Sequence, residues 1–246
     1  MTKGKYLYSF VYLLLLFALS GCSASIAIQA NADRSSAVQF SMDLGKTLAD
    51  TVSMAAMMNG GSADDGLFSA DMVSRIQQSF DGSDIREPKV SAPSGRELSI
   101  SGSIKPPEAQ KAVTVNNIKA ANFITCTSKS LTVILSPDTV TQLTAQLPDD
   151  SRNYLDLFMA PIFTGESMDA AEYRDLIAAV YGEELAAELE KSAVQMSLAP
   201  PAGCKISSAS LSETGRSRTS ANKAVFSVPL LEFLTLRNAK TFSITW

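Results

Sequence analysis

The chain opens with Lys3 and Lys5 and then runs apolar from Tyr6 to Leu19, fourteen residues interrupted only by Ser9. As a helix rising about 1.5 Å per residue, such a run spans roughly 21 Å. A bilayer core is about 30 Å thick, so the run is short for a membrane span. Small residues close it: Ser20 and Gly21, then Cys22. A basic start, a short apolar stretch and a small-residue end form the layout of a signal peptide, which is removed and takes no part in the fold. Taking residues 1–21 as that segment leaves 225 residues to fold. That is enough for one large domain or two small ones with a real core.

Leu19-Ser20-Gly21-Cys22 resembles the lipobox of bacterial lipoproteins, a resemblance confined to residues 1–22. It implies cleavage between Gly21 and Cys22, a diacylglycerol on the Cys22 thiol, and acylation of the new amino group. It also implies a bacterial cell-membrane location, facing the periplasm or the cell exterior. Ser23 and Ala24 follow the cysteine, with no aspartate after it, which leans towards the outer membrane where one exists. One acyl chain is a marginal anchor at about 0.8 kcal/mol per buried CH₂, whereas two or three hold stably. The expected organisation is a signal peptide over 1–21, a lipidated cysteine and short tether over 22–25, and an ectodomain over 26–246. The competing reading of the same stretch is an ordinary secretory signal with a chance cysteine.

The chain has no histidine. That removes imidazole acid–base catalysis, Ser-His-Asp and Cys-His nucleophiles, and zinc sites that need imidazole. Carboxylate pairs, Ser-Lys dyads and carboxylate metal sites survive the filter. Residues 1–21 hold two lysines and no acid, so their removal takes the net charge from −4 to −6. A mildly acidic chain is a poor nucleic-acid binder. With Cys22 acylated, Cys126 and Cys204 remain as a pair. In an oxidising compartment an even pair suggests a disulfide; two buried thiols packing as small hydrophobes is the alternative.

Hydrophobic periodicity predicts a hairpin from Ile26–Ala30 and Val38–Leu44, then helices over 47–58 and, capped by Ser69, up to Phe80. Extended chain follows over 85–105 with a turn at Pro93-Ser94-Gly95. Pro106-Pro107 suggests a lobe boundary near 106–112. Strands are expected at 113–115, 122–125 and 131–135, and a helix from Ser136-Pro137-Asp138. A short helix over 152–159 precedes a long one over 168–192, which Gly182 bends or splits. Val194–Leu198 and Cys204–Leu211 read as strands, and "SETGRSRTSANK" as a polar, basic loop. Val225–Leu236 reads as extended, with Pro229 marking an edge or bulge, and Phe242, Ile244 and Trp246 alternate in a last strand. The order implies an α+β fold, mainly antiparallel, with four to five helices in one ectodomain.

Candidate chemistry is sparse. Ser220 and Lys223 match the Ser-x-x-Lys spacing of penicillin-recognising enzymes but sit in a polar loop without companion motifs. Asp64-Asp65 in a glycine-rich loop offers oxygen ligands to a cation, but the spacing is not that of an EF-hand, and the pair reads as a solvated loop first and a cation site second. Glu183, Glu184, Glu188 and Glu190 read as the wet side of a helix. Met54, Met57 and Met58, with Met72, could make an adaptable surface for an acyl chain or partner helix, or simply pack in a core. The ending "KTFSITW" resembles the terminal strand of outer-membrane β-barrels, but barrels need many alternating strands and few helices. No cofactor or metal is expected. The sequence therefore points to a membrane-anchored envelope lipoprotein with a non-enzymatic binding or structural ectodomain, whose partners are the membrane, through the acyl chains, and an envelope protein or apolar ligand that the sequence does not identify. The alternatives are a carrier or sensor of an apolar ligand and, further off, a carboxylate or Ser-Lys hydrolase.

Overall fold

The structure is a computed structural model that describes residues 23–58, 68–81, 85–106, 123–144, 158, 160–212 and 215–246. Cys22 with its signal sequence, the Asp64-Asp65 loop, the expected lobe boundary, and the segments at 113–115 and 152–157 lie outside them.

Two sheets form the frame. The first has seven strands: β1 (Ser23–Ala30), β2 (Ser36–Asp43), β3 (Ile85–Ser94), β4 (Glu97–Ile104), β7 (Ala193–Ala199), β9 (Arg216–Ser220) and β10 (Lys223–Pro229). Their order is β3-β4-β2-β1-β7-β10-β9, antiparallel throughout except where β1 runs parallel to β7. The second sheet orders β5 (Ile124–Cys126), β6 (Ser130–Leu135), β11 (Lys240–Thr245) and β8 (Ser208–Leu211). The α+β class with mainly antiparallel sheet is thus observed. Seven helices are described, more than the four to five expected: α1 (Lys46–Met58), α2 (Ala70–Ser79), α3 (Pro137–Thr144), α4 (Pro161–Thr164), α5 (Ala170–Tyr181), α6 (Glu183–Lys191) and α7 (Leu230–Leu234).

Period-two alternation sorts each strand's side chains onto two faces. Ile28, Met196, Leu198, Phe226 and Val228 turn inward from the large sheet and meet Leu131, Val133, Phe242 and Ile244 of the small one. The Phe226 and Phe242 rings meet edge to face at 5.6 Å, a favoured aromatic geometry. The chain-terminal strand is therefore a core element, with Phe242 and Ile244 buried. A second cluster gathers α1 and α3–α7 around Tyr173, Ile177, Leu185 and Leu189. In a third, Met72 and Ile76 of α2 pack on Leu98 of β4, flanked by Phe40, Met42 and Val90.

Local signals explain most boundaries. The Ser69 side chain accepts from Met72 N and starts α2. Asp169 and Glu172 form a reciprocal capping box on α5, the arrangement that satisfies two otherwise orphaned N–H donors. Gly182 splits the expected 168–192 helix in two at φ +95°, a conformation closed to L side chains.

Several expectations are corrected. Residues 23–25 are no tether: Ser23, Ala24 and Ser25 already pair with Asp43, Met42 and Ser41 of β2 and with Ala193, Val194 and Gln195 of β7. The expected loop 212–223 contains β9, an exposed edge strand rich in Arg and Ser, a composition that discourages edge-to-edge pairing. The extended reading of 225–236 ends at Pro229, which caps α7, because its pre-set φ suits a helix start. The strand expected over 204–211 begins only at Ser208. Val180 of α5 is 52% exposed, although the 3.6-residue apolar spacing of this helix aligns it with buried Tyr173 and Ile177.

Candidate functional site

The outward face of the seven-stranded sheet differs sharply from its inward face. Register pairs trace a straight row across it, from Lys89 on β3 to Ser101 on β4 and Gln39 on β2. The row continues through Ala27 on β1 and Ser197 on β7 to Val225 on β10 and Arg218 on β9. A neighbouring row carries Arg86 opposite Ser103, then Ala37 and Gln29. The central strands thus present small or carboxamide side chains, and the cations stand at the flanks. The result is a trough of about 470 Å³ with Arg86, Glu87 and Lys89 on one wall and Lys223 on the other. Among the described residues, the side chains of Gln29, Gln39, Ser101, Ser103 and Ser197 have no hydrogen-bond partner within the protein.

The β3 wall is built by a bulge. Arg86 and Lys89 are three residues apart, so an unbroken strand would send them to opposite faces. Here Arg86 pairs with Ser103 and Lys89 with Ser101, so β3 carries one extra residue between them. Bulges re-aim side chains in this way. Glu87 takes the turn at φ +49°, a left-handed conformation uncommon for a residue with a side chain. Two devices hold it. The Gln77 side chain of α2 donates to Pro88 O at 2.7 Å and accepts from Val90 N at 2.9 Å. Gly102 on β4 leaves room, since a Cβ there would sit 2.5 Å from Ile85 Cγ2 and 3.3 Å from Arg86 O. Arg86 also acts at the β1–β2 turn, where Asp33 is held below the usual carboxylate range. The Ser35 hydroxyl and backbone N–H do most of that work, and Arg86 adds to it. None of this was read from the sequence; the signal that could have found it is the odd spacing of two cations around Glu87-Pro88.

The residues singled out from sequence are not brought together. Cys126 and Cys204 are free thiols, against the disulfide expectation. The reason is topological: Cys126 lies on β5 at one edge of the small sheet, and Cys204 precedes β8 at the other. Burial pushes the Cys126 thiol above its ordinary value. Met54 and Met57 are exposed on α1, while Met72 is buried in a different cluster; the Met58 side chain lies outside the described residues. No residue of that set lines either of the two cavities described.

Ser220 and Lys223 flank the two-residue turn between β9 and β10, and the Ser220 hydroxyl donates to the Lys223 carbonyl at 3.0 Å. A lysine and carboxylates do converge in a second cavity of about 320 Å³ lined by Lys240, Glu232 and Asp169. Lys240 is buried, with Nζ 3.9 Å from Glu232 Oε2. The lining holds no serine; its one hydroxyl, on Thr235, donates to Leu231 O at 2.8 Å. In the acidic run, Glu183, Glu184 and Glu190 are exposed on the wet side of the helix as expected, and only Glu188 departs from that reading. Arg174 pairs with Glu183 and Glu190. Glu188 reaches across to α1, where its two oxygens accept from Thr47 N and Leu48 N, each at 2.9 Å. Among the described residues no group of three or more Cys, Asp or Glu side chains gathers as a metal site, and no helix is long and apolar enough to cross a membrane.

Comparison with known proteins returns no match to a family model, a curated protein or a solved structure.

Proposed function

We propose that this chain is a lipid-anchored cell-envelope protein whose ectodomain acts by binding and not by catalysis. The observation that carries the proposal is the Leu19-Ser20-Gly21-Cys22 stretch at the end of a short apolar run, followed at Ser23 by a β-strand. Ser23 opens β1, which lies between β2 and β7 near the middle of the large sheet. An acylated Cys22 would therefore sit directly against an ordered strand end. Two or more acyl chains there give a stable anchor. The location follows: a bacterial membrane, with the domain on its periplasmic or exterior side, the outer membrane being favoured.

A binding role suits the remaining features. The chain has no histidine, and the partnerless side chains of Gln29, Gln39, Ser101, Ser103 and Ser197 lie on an open sheet face and not in an enclosed cleft. The apolar-ligand alternative is the weaker one, because Met54 and Met57 are separated from Met72 by burial and by cluster.

The test is expression of the Cys22→Ala variant with radiolabelled palmitate. The expected outcome is an uncleaved, unlabelled precursor. A mature-sized, membrane-bound product from that variant would refute the anchor.

A further inference from the structure

We propose that the trough on the outer face of the seven-stranded sheet binds an acidic oligosaccharide. The inference rests on the binding role proposed above but not on the anchor.

Charge is the first argument. The chain is net negative, yet this face brings Arg86, Lys89 and Lys223 around one cavity that holds a single acid, Glu87. Among the described residues, neither Lys89 nor Lys223 has a carboxylate within 4.0 Å. Arg218 and Arg216 extend the positive edge along β9. Cations standing free on an acidic protein complement an anionic ligand and raise its local concentration.

The floor supplies the second argument. Ser101, Ser103 and Ser197 offer hydroxyls, and Gln29 and Gln39 offer carboxamides; each can both donate and accept. That mixture matches the hydroxyls of a sugar ring. The apolar side chains of Ile28 and Val38 belong to the opposite face, against the core. The apolar side chains the floor does present, Ala27, Ala37 and Ala199, are single methyl groups, so a lipid tail would find little to bury against. No aromatic ring lines the trough, which leaves nothing for a nucleobase to stack on.

Dimensions give the third. From β3 to β10 is five strand spacings, about 24 Å at about 4.8 Å each. The long side chains lean in from both flanks, so the open floor is shorter than that. A ligand touching both walls is the size of a short oligosaccharide, larger than a single inorganic anion. The cavity of about 470 Å³ falls within the range of small-molecule sites. The bulge at Glu87, clamped by Gln77, keeps both β3 cations on this face.

The experiment is isothermal titration of the purified full chain, held in a detergent without a sugar headgroup. The probes are a heparin-derived tetrasaccharide, maltotetraose and inorganic phosphate. The heparin tetrasaccharide is expected to bind with an affinity that falls as salt rises, and at least tenfold more tightly than either other probe. The double variant Lys89→Gln/Lys223→Gln should weaken it at least tenfold, because both changes are exposed and leave the fold intact. Lys46→Gln, remote on α1, should leave the affinity unchanged. The proposal is overturned if the tetrasaccharide does not bind, if the double variant binds it as wild type does, if Lys46→Gln weakens it equally, or if maltotetraose or phosphate binds as tightly. All of these readouts are independent of palmitate labelling, so this proposal and the anchor fail separately.

Discussion

Replacing Glu188 by alanine should destabilise the protein by about 2 kcal/mol, although the residue lies 140 positions or more from the groups it serves. Helix α1 begins at Lys46 after Gly45, whose carbonyl accepts from Ala49 N. Glycine has no side chain to cap with, and α1 carries no acid in its first turn. The Glu188 carboxylate from α6 fills that role, one oxygen to Thr47 N and one to Leu48 N. A hydrogen bond to a charged group contributes about 1.5–3 kcal/mol net, and losing a helix N-cap costs about 0.5–2 kcal/mol. Because Glu188 is only half-buried, water can reach the freed donors in part, which puts the alanine variant near 2 kcal/mol. Glu188→Gln keeps one accepting oxygen but loses the charge that favours a helix N-terminus, for about 1 kcal/mol. With a urea slope of about 2–3 kcal/mol per molar, the alanine variant should lower the unfolding midpoint by roughly 0.7–1 M. Glu184→Ala, exposed on the same helix, is the control and should stay within about 0.5 kcal/mol. A Glu188→Ala midpoint indistinguishable from that of Glu184→Ala would refute the reasoning.

Two further outcomes test the fold. Gly182→Ala should cost about 1–3 kcal/mol in thermal or urea unfolding, because nothing lies within 4 Å of the added Cβ and the penalty is purely that of forcing φ +95° on alanine; a neutral result would mean the helix break does not need that conformation. The denatured, unreduced protein should show Cys126 and Cys204 as free thiols by mass after alkylation. In the native state Cys204 should label first. Since burial raises the folded Cys126 pKa, its stability contribution is present below the ordinary thiol pKa and is lost as pH rises through the folded value. Its labelling should therefore lag until the pH is well above that of an exposed thiol, and equal rates at the two sites near pH 8 would contradict the placement.

What could be read from the sequence depended on whether its cause was local. Ser69 and Gly182 act on their own neighbours, so the helix ends they set could be anticipated. The β1–β2 hairpin follows from alternation in Ile26–Ala30 and Val38–Leu44. By contrast, β9 has every residue exposed, so no apolar alternation marks it. In 225–236 a largely apolar stretch fits strand and helix alike, and only tertiary packing turns it at Pro229. The outward trough was hidden for a deeper reason. Its floor joins serines and glutamines from four strands, and its β3 wall depends on a bulge pinned by Gln77 from another element. Glu188 looked like a solvated glutamate because its partners are two backbone N–H groups in a distant segment.

The place of β1 in the sheet has a mechanical consequence. A pull on its N-terminal end runs along the strand, with β2 hydrogen-bonded over eight register pairs on one side and β7 over seven on the other. Such a force loads both ladders in shear, so many bonds must give together. Had the chain begun on an edge such as β9, the same pull could peel the sheet open one pair at a time. If the membrane is where this molecule is held, drag on the domain or thermal undulation of the bilayer is transmitted into the direction along which the sheet resists best.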